Sequence, residues 1–118
     1  MPNLKELLTE LVEVQGIQSA VVVGRDGFVI DGVSRGGGLD ADAIGAVIST
    51  GVGSSEVMGN ELAVGDLTQG MFEYSDGLIV MALLGVDAIL AVVADLKANI
   101  GNVRFQLKKR AGAIEQAL

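Results

Sequence analysis

Leu4, Leu7, Leu8, Leu11 and Val14 recur at helical spacing, which predicts an amphipathic helix over residues 4–15. Asn3 stands where an N-cap belongs, Glu6 completes a capping box three residues on, and Gly16 offers a left-handed stop. Two β-branched runs follow, over 17–24 and 28–33, joined by Arg25-Asp26-Gly27, and Asp-Gly is a strong hairpin signal. Ala20-Val21-Val22-Val23 is an unbroken apolar run, so the first of these strands is expected to be central and covered on both faces. From Asp40 the period becomes that of a helix over 41–58, with Asp40 as its N-cap and Gly59-Asn60 as its stop. One face of that helix carries Ile44, Val47, Ile48, Gly51, Val52 and Ser55. Three more strands are read over 61–74, 78–84 and 88–94, with turns at Ser75-Asp76-Gly77 and Gly85-Val86-Asp87. Ile100, Val103, Leu107, Ala111 and Ile114 predict a last helix.

The order is therefore helix, two strands, helix, three strands, helix. Turns this short make the sheet antiparallel, so the fold class is α/β in the α+β sense: one domain over 1–118 with a five-stranded antiparallel sheet. Gly45, Gly51 and Gly53 each cost the central helix about 1 kcal/mol relative to alanine, and small residues on a helix face point to close approach of another backbone. In the strand read over 61–74, Leu67, Gln69, Met71 and Glu73 alternate with Asp66, Thr68, Gly70 and Phe72. Neither face is purely apolar, which suits a sheet edge or an interface. These features predict a homodimer joined through Ile44, Val47, Ile48, Gly51 and Val52 of the helix and Leu67 and Met71 of the strand.

Composition narrows the chemistry. With 118 residues, half of them hydrophobic, the chain can bury a core and is not intrinsically disordered. The absence of cysteine and histidine removes disulfides, thiolate chemistry, the commonest general base and the commonest metal ligand. No catalytic residue, metal or cofactor is therefore expected. The net charge of -7 is the wrong sign for a nucleic-acid partner. Charge is nevertheless segregated: the segment from Lys97 onward carries +4, which leaves -11 on the residues before it. Lys108-Lys109-Arg110 is expected to lie near the first helix, whose outer face carries Glu6, Glu10 and Glu13. The longest apolar run, 78–94, is interrupted by Asp87 and falls short of the roughly 20 residues a bilayer crossing needs. The chain is thus read as soluble and cytoplasmic, without membrane insertion.

Local motifs that could bind a ligand read better as structure. Arg35-Gly36-Gly37-Gly38 before a helix resembles a phosphate cradle, but no lysine follows, the glycine spacing fits no nucleotide fingerprint, and Asp40 and Asp42 would repel an anion. Asp40-Ala41-Asp42 lacks the remaining ligands of a calcium loop and is expected to serve the helix N-terminus. Ser49, Thr50, Ser54 and Ser55 have no base beside them in sequence to activate a hydroxyl. They leave a small, mildly polar surface on a helix with no charge between Asp42 and Glu56, and Thr50, Ser54 and Ser55 are the residues expected to meet a partner.

The order of elements and several local motifs resemble the roadblock family, the dynein light-chain type of domain, and within it the bacterial gliding-polarity members. The stretches that carry the resemblance are Val14-Gln15-Gly16-Ile17, Ala20-Val21-Val22-Val23, Arg25-Asp26-Gly27-Phe28-Val29-Ile30, Gly77-Leu78-Ile79-Val80 and Asn99-Ile100-Gly101. The resemblance implies that the central helix covers one face of the sheet and the terminal helices the other. It also implies a dimer in which central helices pair and third strands join edge to edge. The role it implies is a non-catalytic platform that binds a small Ras-like GTPase and in some bacterial members stimulates hydrolysis by that partner. The alternative reading is a small-molecule sensor or a general protein-interaction domain, against which stand 3% aromatic content and no convergent polar set.

Overall fold

The computed structural model describes residues 2–36 and 40–118. The apolar 3–4 spacing near the start folds as α1 (Leu4–Val12), and the Asn3 side chain accepts from the Glu6 amide at 2.9 Å as the N-cap. β1 (Ile17–Gly24) and β2 (Val29–Ser34) form the expected hairpin, tightened by the Asp26 carboxylate accepting from the Phe28 amide at 3.1 Å. α2 (Ala41–Glu61) starts at Asp40, and β3 (Gln69–Tyr74), β4 (Gly77–Leu84) and β5 (Ala88–Ala94) follow as a meander. α3 (Ile100–Gln116) opens on an Asn99 cap that accepts from the Asn102 amide at 2.9 Å.

The strands form one sheet in the order β2-β1-β5-β4-β3, and all four pairings are antiparallel. β1 is interior, as its apolar run predicts. Alternation along the strands sends Ala20, Val22, Val80, Leu90 and Val92 to one face, where they pack with Leu8, Leu11, Val103, Leu107 and Ile114 of α1 and α3. Val21, Val23, Met81, Ile89 and Ala91 point to the other face and meet Ile48 and Val52 of α2. The terminal helices thus share one layer and the central helix occupies the other. β2 and β3 stand at opposite edges, so α2 must carry the chain across the whole sheet.

Within the two-helix layer the basic last helix touches the acidic first one through Arg110, whose Nε lies 3.5 Å from Glu10. Arg35 ties the end of α1 down: its guanidinium donates to the carbonyls of Val12, at 2.6 and 3.0 Å, and Ile17, at 3.0 Å. Helix carbonyls without intrahelical partners are satisfied in this way.

Three boundaries differ from the sequence reading. α1 ends at Val12, and the chain turns through residues 13–16, with Gly16 in the left-handed region at φ +89°. α2 does not stop at Gly59-Asn60 but runs to Glu61, and the long strand over 61–74 is reduced to Gln69–Tyr74. The reason is a Schellman turn built on alanine. The Val64 amide donates to the Gly59 carbonyl at 3.0 Å and the Ala63 amide to that of Asn60 at 3.2 Å, with Ala63 at φ +57°. A glycine signal at 59 therefore marks the carbonyl that receives the capping bond, not the residue that turns.

The helix glycines also divide. A Cβ on Gly45 would fall onto the carbonyl oxygen of Gly27, so the backbone that approaches α2 there is the chain's own β1–β2 turn. Gly51 faces Met81 of the sheet at ordinary contact distance, and Gly53 faces open space. No helix among the described residues is long and apolar enough to cross a membrane.

Candidate functional site

α2 lies over β2, β1 and β5 and leaves the β4–β3 half of its layer open. Two constraints hold it there. Gly45 lets the β1–β2 turn come against the helix, and Arg25 in that turn forms a bidentate pair with Glu56, at 2.7 and 2.9 Å. The hydrogen bond from Arg25 holds the Glu56 carboxyl below its ordinary pKa, and the same bond to Glu56 raises that of Arg25.

The flank of α2 that overlooks the open half carries Val47, Gly51, Ser54, Ser55 and Met58, and the facing strands supply Ile79, Met81, Phe72 and Tyr74. These residues line a groove of about 320 Å³. Three of its apolar members stand largely in water, Val47 at 67% exposed, Met58 at 57% and Tyr74 at 57%, while Ile48 and Met81 at its floor are buried. A second recess of about 200 Å³ continues under the N-terminal half of α2, walled by Ile44, Val47, Ile48, Ile79, Ala91 and Val93. Its one polar wall residue, Ser19, is already bonded to Ser34 at 3.1 Å. The outer edge of β3, at the end of the sheet, borders the groove and has no strand partner.

The residues expected at a dimer interface separate on this geometry. Ile48 and Val52 belong to the chain's own core beneath α2, because they are buried against Val21, Val23 and Ile89, and Ile44 and Leu67 pack against the same cluster. Val47 and Gly51 line the groove. Met71 pairs in register with Val80, so it points to the α1–α3 layer, away from α2. Phe72, paired with Ile79, and Tyr74 are the β3 residues on the α2 side, where they line the groove. The signal for them was present in the sequence as the two aromatic residues of the edge strand, but assigning a face required the register.

Of the residues expected to meet a partner, Ser54 and Ser55 reach the groove, while Thr50 is exposed and stands outside it. The Ser55 hydroxyl donates back to the Gly51 carbonyl at 2.9 Å, and that of Ser49 to Ala46 at 3.2 Å. Both hydroxyls are spent on the helix itself. Arg35, the cation of the glycine loop, is committed to α1 as described above, and Asp40 to the Ala43 amide at 3.2 Å. Gly37 and Gly38 of that loop lie outside the described residues.

A sheet sealed on one face by two helices and half covered on the other by one, with an apolar groove beside an open edge strand, defines a small α+β interaction domain. The chain belongs to the Roadblock/LC7 domain family, whose model matches residues 3–94. This is a family of scaffolding and regulatory domains. An uncharacterized protein of Methanocaldococcus jannaschii is 36% identical over 112 residues, which cover 95% of this chain and 96% of that protein. Among solved structures, an MglB with tetrameric arrangement aligns with a TM-score of 0.89 at 19% identity, covering 97% of this chain and 86% of that one. The gliding protein MglB from Thermus thermophilus aligns at 0.88 with 18% identity, covering 97% and 87%. At these identities the structural likeness concerns the fold, and it agrees with the gliding-polarity character of the sequence motifs.

Proposed function

We propose that the chain is a homodimeric, non-catalytic scaffold that binds a small Ras-like GTPase and regulates its nucleotide cycle in the cytoplasm. The observation that carries this reading is the open half of the α2 layer, where Val47, Met58, Phe72 and Tyr74 line a groove next to the free β3 edge. A second copy brought in by a two-fold axis at β3 would cover both features at once. The MglB named above for its tetrameric arrangement lends weight to self-association. The uncharged outer surface of α2, with Ala46, Thr50 and Gly53 exposed outside the groove, is then left for the GTPase. Regulation would come from ordering the partner's own switch segments, since this surface offers small side chains and no charged group. The recess under α2 supports a partner side chain better than a metabolite, because the one polar wall group among the described residues is already satisfied.

Light scattering at about 100 µM should return twice the 12.1 kDa chain mass, and Phe72→Glu should return a folded monomer. Nucleotide-dependent capture of a small GTPase should then fail in Thr50→Glu/Gly53→Arg, which alters two exposed positions outside the groove while the dimer persists. A monomeric wild type overturns the assembly, and unchanged capture by the double variant overturns the docking surface.

A further inference from the structure

The cationic last helix is the feature that neither the fold nor the proposed function absorbs. Proximity to the acidic first helix accounts for one residue of it, Arg110, which pairs with Glu10. Among the described residues the other ion pairs are Lys5–Asp31 and Arg25–Glu56, so Lys97, Lys108 and Lys109 have no acidic partner, and all three are exposed. Arg104 is held by a neutral group: its Nε donates to the Gln69 side chain at 3.0 Å, which leaves the rest of the guanidinium fork free at the surface.

These cations surround a shaped feature. Gly101, Arg104, Phe105 and Lys108 of α3 and Gln69 of β3 line one depression of about 260 Å³. Phe105 is 60% exposed there, and Lys108 and Lys109 follow it at i+3 and i+4 on the same side of the helix. An exposed aromatic that shares its depression with Arg104 and Lys108, with Lys109 next along the helix, is well suited to an anionic partner with an apolar contact. Glu73 on the same face of β3 and Glu115 near the end of α3 are the acidic residues of the neighbouring elements, and neither is joined to these cations by an ion pair among the described residues.

We propose that this depression between α3 and β3 docks an acidic protein segment that carries an apolar side chain for Phe105. The layout favours a narrow segment over a broad anionic surface. α1 shares this layer and exposes Glu6, Glu10 and Glu13, so a membrane or duplex lying flat on it would gain over α3 and lose over α1. A single chain can instead lie along α3 on the side away from α1, over Phe105 and Gln69, without pairing with the β3 backbone that the proposed second copy would use. The site is on the layer opposite α2, so it stands or falls independently of the proposed GTPase surface.

The probe is a short fluorescein-labelled peptide of glutamates around one leucine, with binding read by fluorescence anisotropy at low salt. The wild type should bind it, and Lys108→Glu and Lys109→Glu should each weaken binding by about tenfold. Phe105→Ala should weaken binding of this peptide but not of the all-glutamate version. Lys5→Glu makes the same change in net charge on α1 and should stay within about twofold of wild type. Circular dichroism on each variant checks that these exposed substitutions leave the fold intact. Absence of peptide binding, equal loss in Lys5→Glu, or a preference for phosphatidylserine vesicles abolished by the same α3 variants would each overturn the proposal.

Discussion

Replacing Gly45 with alanine tests how closely the β1–β2 turn sits against α2. In an exposed helix interior the exchange of glycine for alanine is favourable by about 1 kcal/mol. At position 45, however, the new Cβ would land on the carbonyl oxygen of Gly27, a backbone atom in a turn that has little freedom to retreat. The same turn is fastened to α2 by the bidentate Arg25–Glu56 pair, so a shift that relieves the clash also pulls on that pair. Overpacking of this kind costs about 1–3 kcal/mol, which offsets the propensity gain of about 1 kcal/mol and leaves Gly45→Ala up to about 2 kcal/mol less stable than wild type. Gly53→Ala supplies the internal reference. Its Cβ meets nothing within 4 Å, so it should show the propensity gain alone, about 0.5–1 kcal/mol of added stability. Urea unfolding followed by circular dichroism measures both, run at two protein concentrations so that any contribution from self-association appears as a concentration dependence. If Gly45→Ala is stabilised as much as Gly53→Ala, the turn does not approach the helix as described, and the reason given for the position of α2 fails.

Two further outcomes follow from the same elements. Ala63→Gly should stabilise the chain by about 0.5–1 kcal/mol in the same assay, because the left-handed conformation at φ +57° suits glycine better than alanine; a loss of stability would mean that the alanine methyl is packed there. Glu56→Gln should be less stable than wild type at neutral pH, and the gap should close as the pH is lowered below the ordinary carboxylate range. The folded-state pKa of Glu56 is depressed by Arg25, so the pair's contribution is present above the ordinary carboxylate value and disappears as pH falls through the folded one. A gap between the two proteins that is unchanged in acid would refute that linkage.

The elements written in local patterns were readable from the chain alone. Asn3 and Asp40 cap as their positions suggest, and Asp26-Gly27 makes the hairpin. The apolar run of β1 correctly predicted an interior strand. What escaped was set by tertiary geometry. Periodicity puts Ile48 and Val52 on the apolar face of α2, and it cannot tell whether that face meets the chain's own sheet or another copy's. Met71 and Phe72 are neighbours on one strand and point to opposite layers, so the choice between them depended on register with β4. Ala63 offered no sign of a helix stop, because the left-handed turn it makes is one that composition assigns to glycine. Arg35 sat in a loop that suggested anion binding, and only the fold brings the carbonyls of Val12 and Ile17 to it.

The open groove is a consequence of counting helices against strands. Five strands set their outer axes about 19 Å apart, while one helix is about 10 Å across, so two helices cover such a sheet and one covers half of it. α1 and α3 together close their layer around a continuous core. α2 is alone in its layer and is pinned toward β2 and β1 by the Gly27 turn and by Arg25, which leaves the uncovered half at β4 and β3 rather than shared between the two edges. Both β2 and β3 present an outer edge without a strand partner among the described residues, but only at β3 does that edge border the uncovered apolar groove. A partner that covers only the groove would leave the edge exposed, and one that covers only the edge would leave Val47 and Met58 in water. A second copy of the chain would meet both demands at once, and that economy is the physical argument for the proposed dimer.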